Sequence, residues 1–136
     1  MSSPGKSVLA VLGGYAVMAV VVMGSTVVLQ ILAPVWIAPR ASPGAAYVLL
    51  NLGYSCAAAA AGGYAAAWMA PHAPMKHAFI LAGVVFVLAI VSAVFEGNQQ
   101  PRWYQVLLAL CTPGAIVLGG RLRSSQAESL PKTAPD

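Results

Sequence analysis

Four long windows of this sequence contain no charged residue, and they limit what the chain can fold into. The windows run from Ser7 to Pro39, from Ala41 to Met75, from His77 to Phe95 and from Trp103 to Gly120. A helix needs about 20 predominantly apolar residues, at about 1.5 Å each, to cross the hydrocarbon of a bilayer. Each window supplies one such helix, so the sequence predicts an all-α membrane protein that folds as a bundle of four transmembrane helices.

The composition of the chain is too apolar for a soluble domain. Charged residues make up 7% of the chain and hydrophobic residues 60%, whereas soluble domains contain about 25% charged residues. The mean hydropathy is +0.80. The net charge is +4, but the basic residues stand beside apolar runs and form no nucleic-acid-binding patch. We therefore expect the lipid bilayer as the surroundings and no nucleic acid as a partner.

Prolines and short polar segments set the expected ends of the helices. We predict helices at about 7–33, 45–70, 75–95 and 102–120, within one domain that covers residues 1–123. The polar segment 124–136 contains two prolines and is predicted to be a disordered cytoplasmic tail. The connections between helices 2 and 3 and between helices 3 and 4 are short, so these helices should be antiparallel neighbours.

The basic residues predict how the bundle is oriented, because four spans place both termini on the same side. The terminal side has five basic residues, Lys6, Lys76, Arg121, Arg123 and Lys132. The other side has two, Arg40 and Arg102. Basic residues accumulate in cytoplasmic segments of membrane proteins, so both termini are predicted to lie in the cytoplasm.

The second helix is built largely from Ala and Gly between Ser55 and Pro71. Such small side chains let the backbones of neighbouring helices come close, so we expect helix 2 to be central. Helices 1, 2 and 4 each contain a Gly-Gly pair at the same expected depth. The predicted packing residues are Gly13, Gly14, Gly62, Gly63, Gly119 and Gly120. The alternative is that glycine is simply frequent in membrane helices.

Four polar residues are expected near the opposite, outer ends of the helices: Gln30, Asn51, Ser92 and Gln105. In one interpretation they form a polar cup that opens to the outside. In the other, each side chain satisfies its own backbone or an adjacent helix. Asn51 is expected to lie deepest, where an amide requires partners.

The chain has few residues that could carry chemistry inside a membrane. The apolar windows contain no Asp, Glu, Lys or Arg, which inside a membrane usually mark ion or proton pathways. His72, Met75 and His77 are residue types that bind copper or zinc, but their loop supplies no thiolate or carboxylate. We therefore predict no catalytic, cofactor-binding or metal site, and expect the two histidines to face anionic lipid head groups.

Several short motifs resemble a group of small bacterial four-span membrane proteins with no assigned activity. The motifs are Gly62–Pro71, Met75–Ala78, Pro101–Tyr104 and Leu118–Arg123. The resemblance covers roughly the last two-thirds of the chain. It implies a multi-pass protein of the bacterial inner membrane and supplies no site to transfer.

The expected function is therefore that of a non-enzymatic integral membrane protein. It would serve as a structural or accessory subunit that packs with itself or with a larger membrane complex. The alternative is a small transporter or channel that uses the polar cup.

Overall fold

The computed structural model of the protein consists of four long helices, and it describes residues 4–34, 44–70, 72–95 and 101–129. The helices are α1 (Pro4–Leu32), α2 (Ala45–Met69), α3 (Pro74–Phe95) and α4 (Arg102–Ser129). Each one is long and apolar enough to cross a membrane. The shortest, α3, has 22 residues and spans about 33 Å, against about 30 Å of bilayer hydrocarbon. The predicted all-helical fold with four helices is confirmed.

Helices α1 and α2 run antiparallel. Gly14, early in α1, lies against Gly62 near the end of α2. The hydroxyl of Thr26, late in α1, lies 3.2 Å from that of Tyr54 in the first half of α2. The bundle therefore has two distinct ends, which are named here after their most characteristic residues. The histidine end contains Lys6, His72 and His77, and the asparagine end contains Thr26 and Asn51.

Helices α2 and α4 run parallel to each other. Near their starts, the hydroxyl of Tyr104 bonds to Asn51. Near their ends, the hydroxyl of Tyr64 donates to Gln126 over 2.8 Å. The start of α1 and the end of α4 consequently lie at the same, histidine end of the bundle.

Helix α2 packs against all three of its neighbours. Its most extensive packing is with α4 and α1, and α3 makes a smaller contact with it. Helix α3 in turn packs chiefly on α4. This arrangement gives α2 the central place that its Ala and Gly content predicts.

Small side chains make up much of the interior, and most of the large apolar side chains face outward. Ala58, Ala59 and Ala66 of α2 are completely buried, whereas residues such as Leu32 and Phe95 are more than three-quarters exposed. In water this distribution would be unfavourable, because the large apolar side chains would be exposed to the solvent. In lipid, which is as apolar as Leu or Phe, the stability of a bundle comes from close packing instead.

The consecutive glycines Gly62 and Gly63 allow α2 to pack closely against two different helices. Gly62 lies at the contact with α1. A Cβ atom on Gly62 would lie 2.7 Å from the carbonyl oxygen of Gly14. A Cβ atom on Gly14 would likewise lie 2.7 Å from the carbonyl oxygen of Gly62. Real Cβ atoms essentially never come this close to another atom, so both positions require glycine.

Gly63 allows a similarly close approach to α4, and Gly119 of α4 adds a second contact with α2. A Cβ atom on Gly63 would collide with the backbone of Ile116, and one on Gly119 would collide with the backbone of Ala60. Successive residues of an α-helix point about 100° apart because a turn contains 3.6 residues. Adjacent glycines can therefore serve two different neighbours.

The two remaining glycines of the predicted packing set lie closest to side chains of neighbouring helices. A Cβ atom on Gly13 would meet the thioether end of Met69 at 2.5 Å, and this flexible side chain can move away. A Cβ atom on Gly120 would lie 2.5 Å from the Cβ of Ala78 in α3. All six glycines thus lie at contacts between helices, and the backbone contacts are concentrated at Gly14, Gly62, Gly63 and Gly119.

Helix α4 continues to Ser129, past the predicted end at Gly120. The added segment has no proline before Pro131 and contains good helix formers such as Arg121 and Gln126. The hydrogen bond from Tyr64 to Gln126 also holds it against α2. The first part of the predicted disordered tail is therefore helical. Residues 130–136 lie outside the described part of the chain, as does Arg40.

The glycine contacts predict a position-specific effect of one added methyl group. Gly63→Ala forces the methyl group into the backbone of Ile116, and should lower the free energy of unfolding by about 1–3 kcal/mol. Gly53→Ala is the matched control on the same helix, because a Cβ atom there meets nothing within 4 Å. It should be neutral or slightly stabilising, since Ala is the better helix former. Thermal unfolding in detergent measures both, and equal stability of the two variants would contradict this packing.

Candidate functional site

A cluster of polar side chains surrounds Asn51 at the asparagine end of the bundle. The Asn51 amide nitrogen donates to the hydroxyl of Tyr54 over 2.6 Å and to that of Tyr47 over 3.5 Å. Its oxygen accepts from the hydroxyl of Ser55 over 3.3 Å and from that of Tyr104. A primary amide has two N–H donors and two acceptor positions. All four are used, so the side chain has no remaining capacity for a ligand.

The cluster continues into α1 as a chain of hydrogen bonds with one direction. The Thr26 hydroxyl donates to the carbonyl of Val22 over 2.9 Å. A threonine hydroxyl has a single proton, so Thr26 must accept, and the Tyr54 hydroxyl must donate, in the 3.2 Å bond between them. The protons therefore point from Asn51 through Tyr54 and Thr26 to the backbone of α1.

This network joins three helices, because Thr26 belongs to α1, Asn51 to α2 and Tyr104 to α4. Interhelical hydrogen bonds in membrane bundles contribute about 0.6–2 kcal/mol each. In the part of the chain that the structure describes, every buried side-chain nitrogen or oxygen has a hydrogen-bond partner. The cluster therefore holds α1, α2 and α4 together at the asparagine end.

The tyrosines of the network were not among the predicted site residues, although the sequence contains a signal for them. Tyr47, Tyr54 and Ser55 each lie three or four residues from Asn51. This spacing places them on one face of a helix. Tyr104 in α4 is only 3% exposed, and its contact with Asn51 depends on the packing of α4, which no local pattern in the sequence reveals.

The other residues of the predicted polar cup have different surroundings. Gln30 is exposed on α1, and Ser92 and Gln105 are partly buried on α3 and α4. An open groove of about 470 Å³ between α3 and α4 contains Gln105 and Arg102 among mainly Ala and Val residues. Its lining does not include Gln30, Asn51 or Ser92. The structure thus places Asn51 in the tyrosine network and Gln105 in this groove.

A smaller cavity of about 220 Å³ lies at the histidine end. It is lined by Lys6, Ser7, Met69, Ala70, His72, Ala73 and His77. His77 is only 4% exposed, and its Nδ1 lies 2.8 Å from the carbonyl oxygen of Ala73. Because a carbonyl can only accept, Nδ1 carries the proton of this bond. Within the described ranges, no group of three or more His, Cys, Asp or Glu residues is placed to hold a metal ion.

Comparison of the chain with protein-family models, with curated proteins and with solved structures finds no significant match. Function must therefore be inferred from the bundle itself.

The hydrogen bonds of Asn51 predict that it stabilises the bundle. Asn51→Leu removes the shared partner of Tyr54 and Tyr104, and should lower the free energy of unfolding by about 1–2 kcal/mol. Gln30→Leu is the matched control, because this side chain is exposed near the same end. It should leave stability within about 0.5 kcal/mol of the native value. Urea or thermal unfolding in detergent provides the measurement. An Asn51→Leu protein as stable as the native one would show that the network does not contribute to the stability of the bundle.

Proposed function

We propose that the protein is a non-enzymatic, multi-pass protein of the bacterial inner membrane with both termini in the cytoplasm. The four apolar helices support the membrane assignment. Among the described residues, Lys6, Lys76, Arg121 and Arg123 belong to the histidine end, and Arg102 belongs to the asparagine end. This excess of basic residues favours the histidine end as the cytoplasmic one.

In this proposal the protein is a structural or accessory subunit that packs with itself or with a larger membrane complex. The observation that carries the proposal is a shallow groove between α3 and α4 on the lateral surface of the bundle. Gly83 and Gly114 lie in it, between Phe79 and Phe86 of α3 and Leu118 of α4. A Cβ atom on either glycine would meet nothing within 4 Å. Glycine depressions of this kind let the backbone of a further membrane helix come close.

The hydrogen bonding of the bundle interior supports the same proposal. The Asn51 amide is fully occupied by Tyr54, Tyr47, Ser55 and Tyr104. Towards the histidine end, the bundle is closed by backbone contacts at Gly62 and Gly63. The polar side chains around Asn51 are thus engaged in hydrogen bonds within and between helices.

A small transporter or channel is the alternative function. The groove that contains Arg102 and Gln105 favours it, because both residues place polar atoms beside an otherwise apolar surface at the outer end of α4. In that case the transported solute would follow the α3–α4 boundary, on the side of the bundle away from α1.

The accessory-subunit proposal predicts an assembly that depends on the α3–α4 groove. Purification in a mild detergent, followed by native mass spectrometry, should recover the protein with a stoichiometric partner or as a defined homo-oligomer. Gly114→Ile fills the groove and should abolish that assembly while the monomer stays folded. Gly53→Ile, on the exposed face of α2, is the control and should preserve it. Recovery of the native protein only as a free monomer would overturn the proposal and favour the transporter.

The orientation is tested separately from the assembly. Reporters fused after Asp136 should show that the C-terminus is cytoplasmic: a fluorescent protein that folds only in the cytoplasm should be bright, and a phosphatase that is active only outside it should be silent. The opposite pattern would reverse the topology, without affecting the contacts within the bundle.

A further inference from the structure

An open groove between α3 and α4 lies at the asparagine end of the bundle. It has a volume of about 470 Å³, and its lining extends from Arg102, the first residue of α4, to Ala109. These two residues are seven positions apart, which corresponds to about 10 Å along a helix. The groove thus follows α4 for about two turns.

The lining of this groove is polar at one end and apolar over the rest of its length. Arg102 and Gln105 lie near the start of α4, and the remaining lining residues are all Ala, Val or Ile. Ala89, Ala93 and Ala109 are half-buried, and their short side chains leave room between the two helices. A ligand that fills the groove must therefore have a polar end and an apolar body.

The charge at the polar end complements an anion. Arg102 is exposed, and its planar guanidinium can bind two phosphate oxygens with parallel N–H donors. In the part of the chain that the structure describes, the one carboxylate is that of Glu128, near the opposite end of α4. No described carboxylate is thus close enough to neutralise Arg102.

The depth of the groove matches that of a lipid when the bundle is placed across a membrane, as proposed above. Trp103, the residue after Arg102, is 49% exposed, and Trp residues accumulate at the level of the head groups. Arg102 then lies at the layer of lipid phosphates, and the apolar part of the groove lies in the hydrocarbon. One leaflet contributes about 15 Å of hydrocarbon, half of the total, so the groove accompanies an acyl chain for most of that depth.

We propose that this groove binds one anionic phospholipid, with its phosphate held by Arg102 and one acyl chain lying along Ala93 and Ala109. A free anion would leave the apolar part of the groove unused, and an uncharged hydrocarbon would leave Arg102 unused. A phospholipid occupies both parts at once. The site requires no protein partner, so it does not depend on the proposed role as an accessory subunit.

The test separates the contribution of the head group from that of the acyl chains. Delipidated protein in a neutral detergent is titrated with phosphatidylglycerol, and native mass spectrometry counts the bound lipids. Diacylglycerol and phosphatidylcholine with the same acyl chains lack the phosphate and the net negative charge, respectively. We expect one phosphatidylglycerol to bind about tenfold or more tightly than either. Glycerophosphoglycerol, the same head group without acyl chains, should not displace it.

Substitutions assign the bound lipid to this groove. Arg102→Gln should weaken the affinity for phosphatidylglycerol by about tenfold or more, because it removes charge-assisted hydrogen bonds. Arg123→Gln is the matched control, since it removes the same charge from a residue that does not line the groove. Ala93→Leu fills the apolar part and should weaken binding, whereas Ala16→Leu, on the exposed surface of α1, should not. If Ala93→Leu does not fold, Arg102→Gln at its exposed position decides the question alone.

Four results would overturn the proposal. The native protein could bind phosphatidylcholine or diacylglycerol as tightly as phosphatidylglycerol. Arg102→Gln, or a folded Ala93→Leu, could keep the native affinity. Arg123→Gln could weaken binding as much as Arg102→Gln, which would reduce the effect to the general positive charge of the protein. Displacement by glycerophosphoglycerol would show that the anion alone is recognised.

Discussion

The close approach of backbones along α2 is the interaction on which the rest of the bundle depends. In lipid, the hydrophobic effect does not favour the burial of large side chains between helices. The stability of the bundle must therefore come from van der Waals packing and hydrogen bonds between helices. Gly62 provides that contact with α1 and Gly63 with α4. Together they fix the rotation of α2 about its own axis. That rotation then determines which neighbours meet the face that contains Asn51 and Tyr54.

The parts of the fold that depend on local composition could be predicted from the sequence. The four charge-free windows located the helices, because an uninterrupted apolar segment of this length has few other stable states. The Ala and Gly content of α2 indicated its central place for a similar reason. The extension of α4 to Ser129 was missed, although the segment has no proline before Pro131 and contains good helix formers. Its hydrogen bond from Tyr64 to Gln126 could not be foreseen, because it depends on the packing of α4 against α2.

The candidate sites could be predicted only in part, since they depend on how helices are rotated against each other. The sequence drew attention to Asn51 but grouped it with Gln30, Ser92 and Gln105, which are expected near the same end of the bundle. The depth of a residue in the membrane follows from its position along the helix. Its hydrogen-bond partners depend also on how each helix is rotated about its own axis, which the sequence does not give. The partner hydroxyls of Tyr54 and Tyr104 therefore became apparent only in the structure. The glycine pairs were easier, because the residue type itself indicates close approach.

The α1–α2 pair is held at two places by different forces, with Gly14 and Gly62 at one and Thr26 and Tyr54 at the other. The glycine contact sets the distance between the two backbones, because no side chain stands between them. The hydrogen bond depends on direction as well as distance, so it sets the register of the two helices along their axes. Each helix of the pair is therefore fixed at two points, one near each end of the bundle.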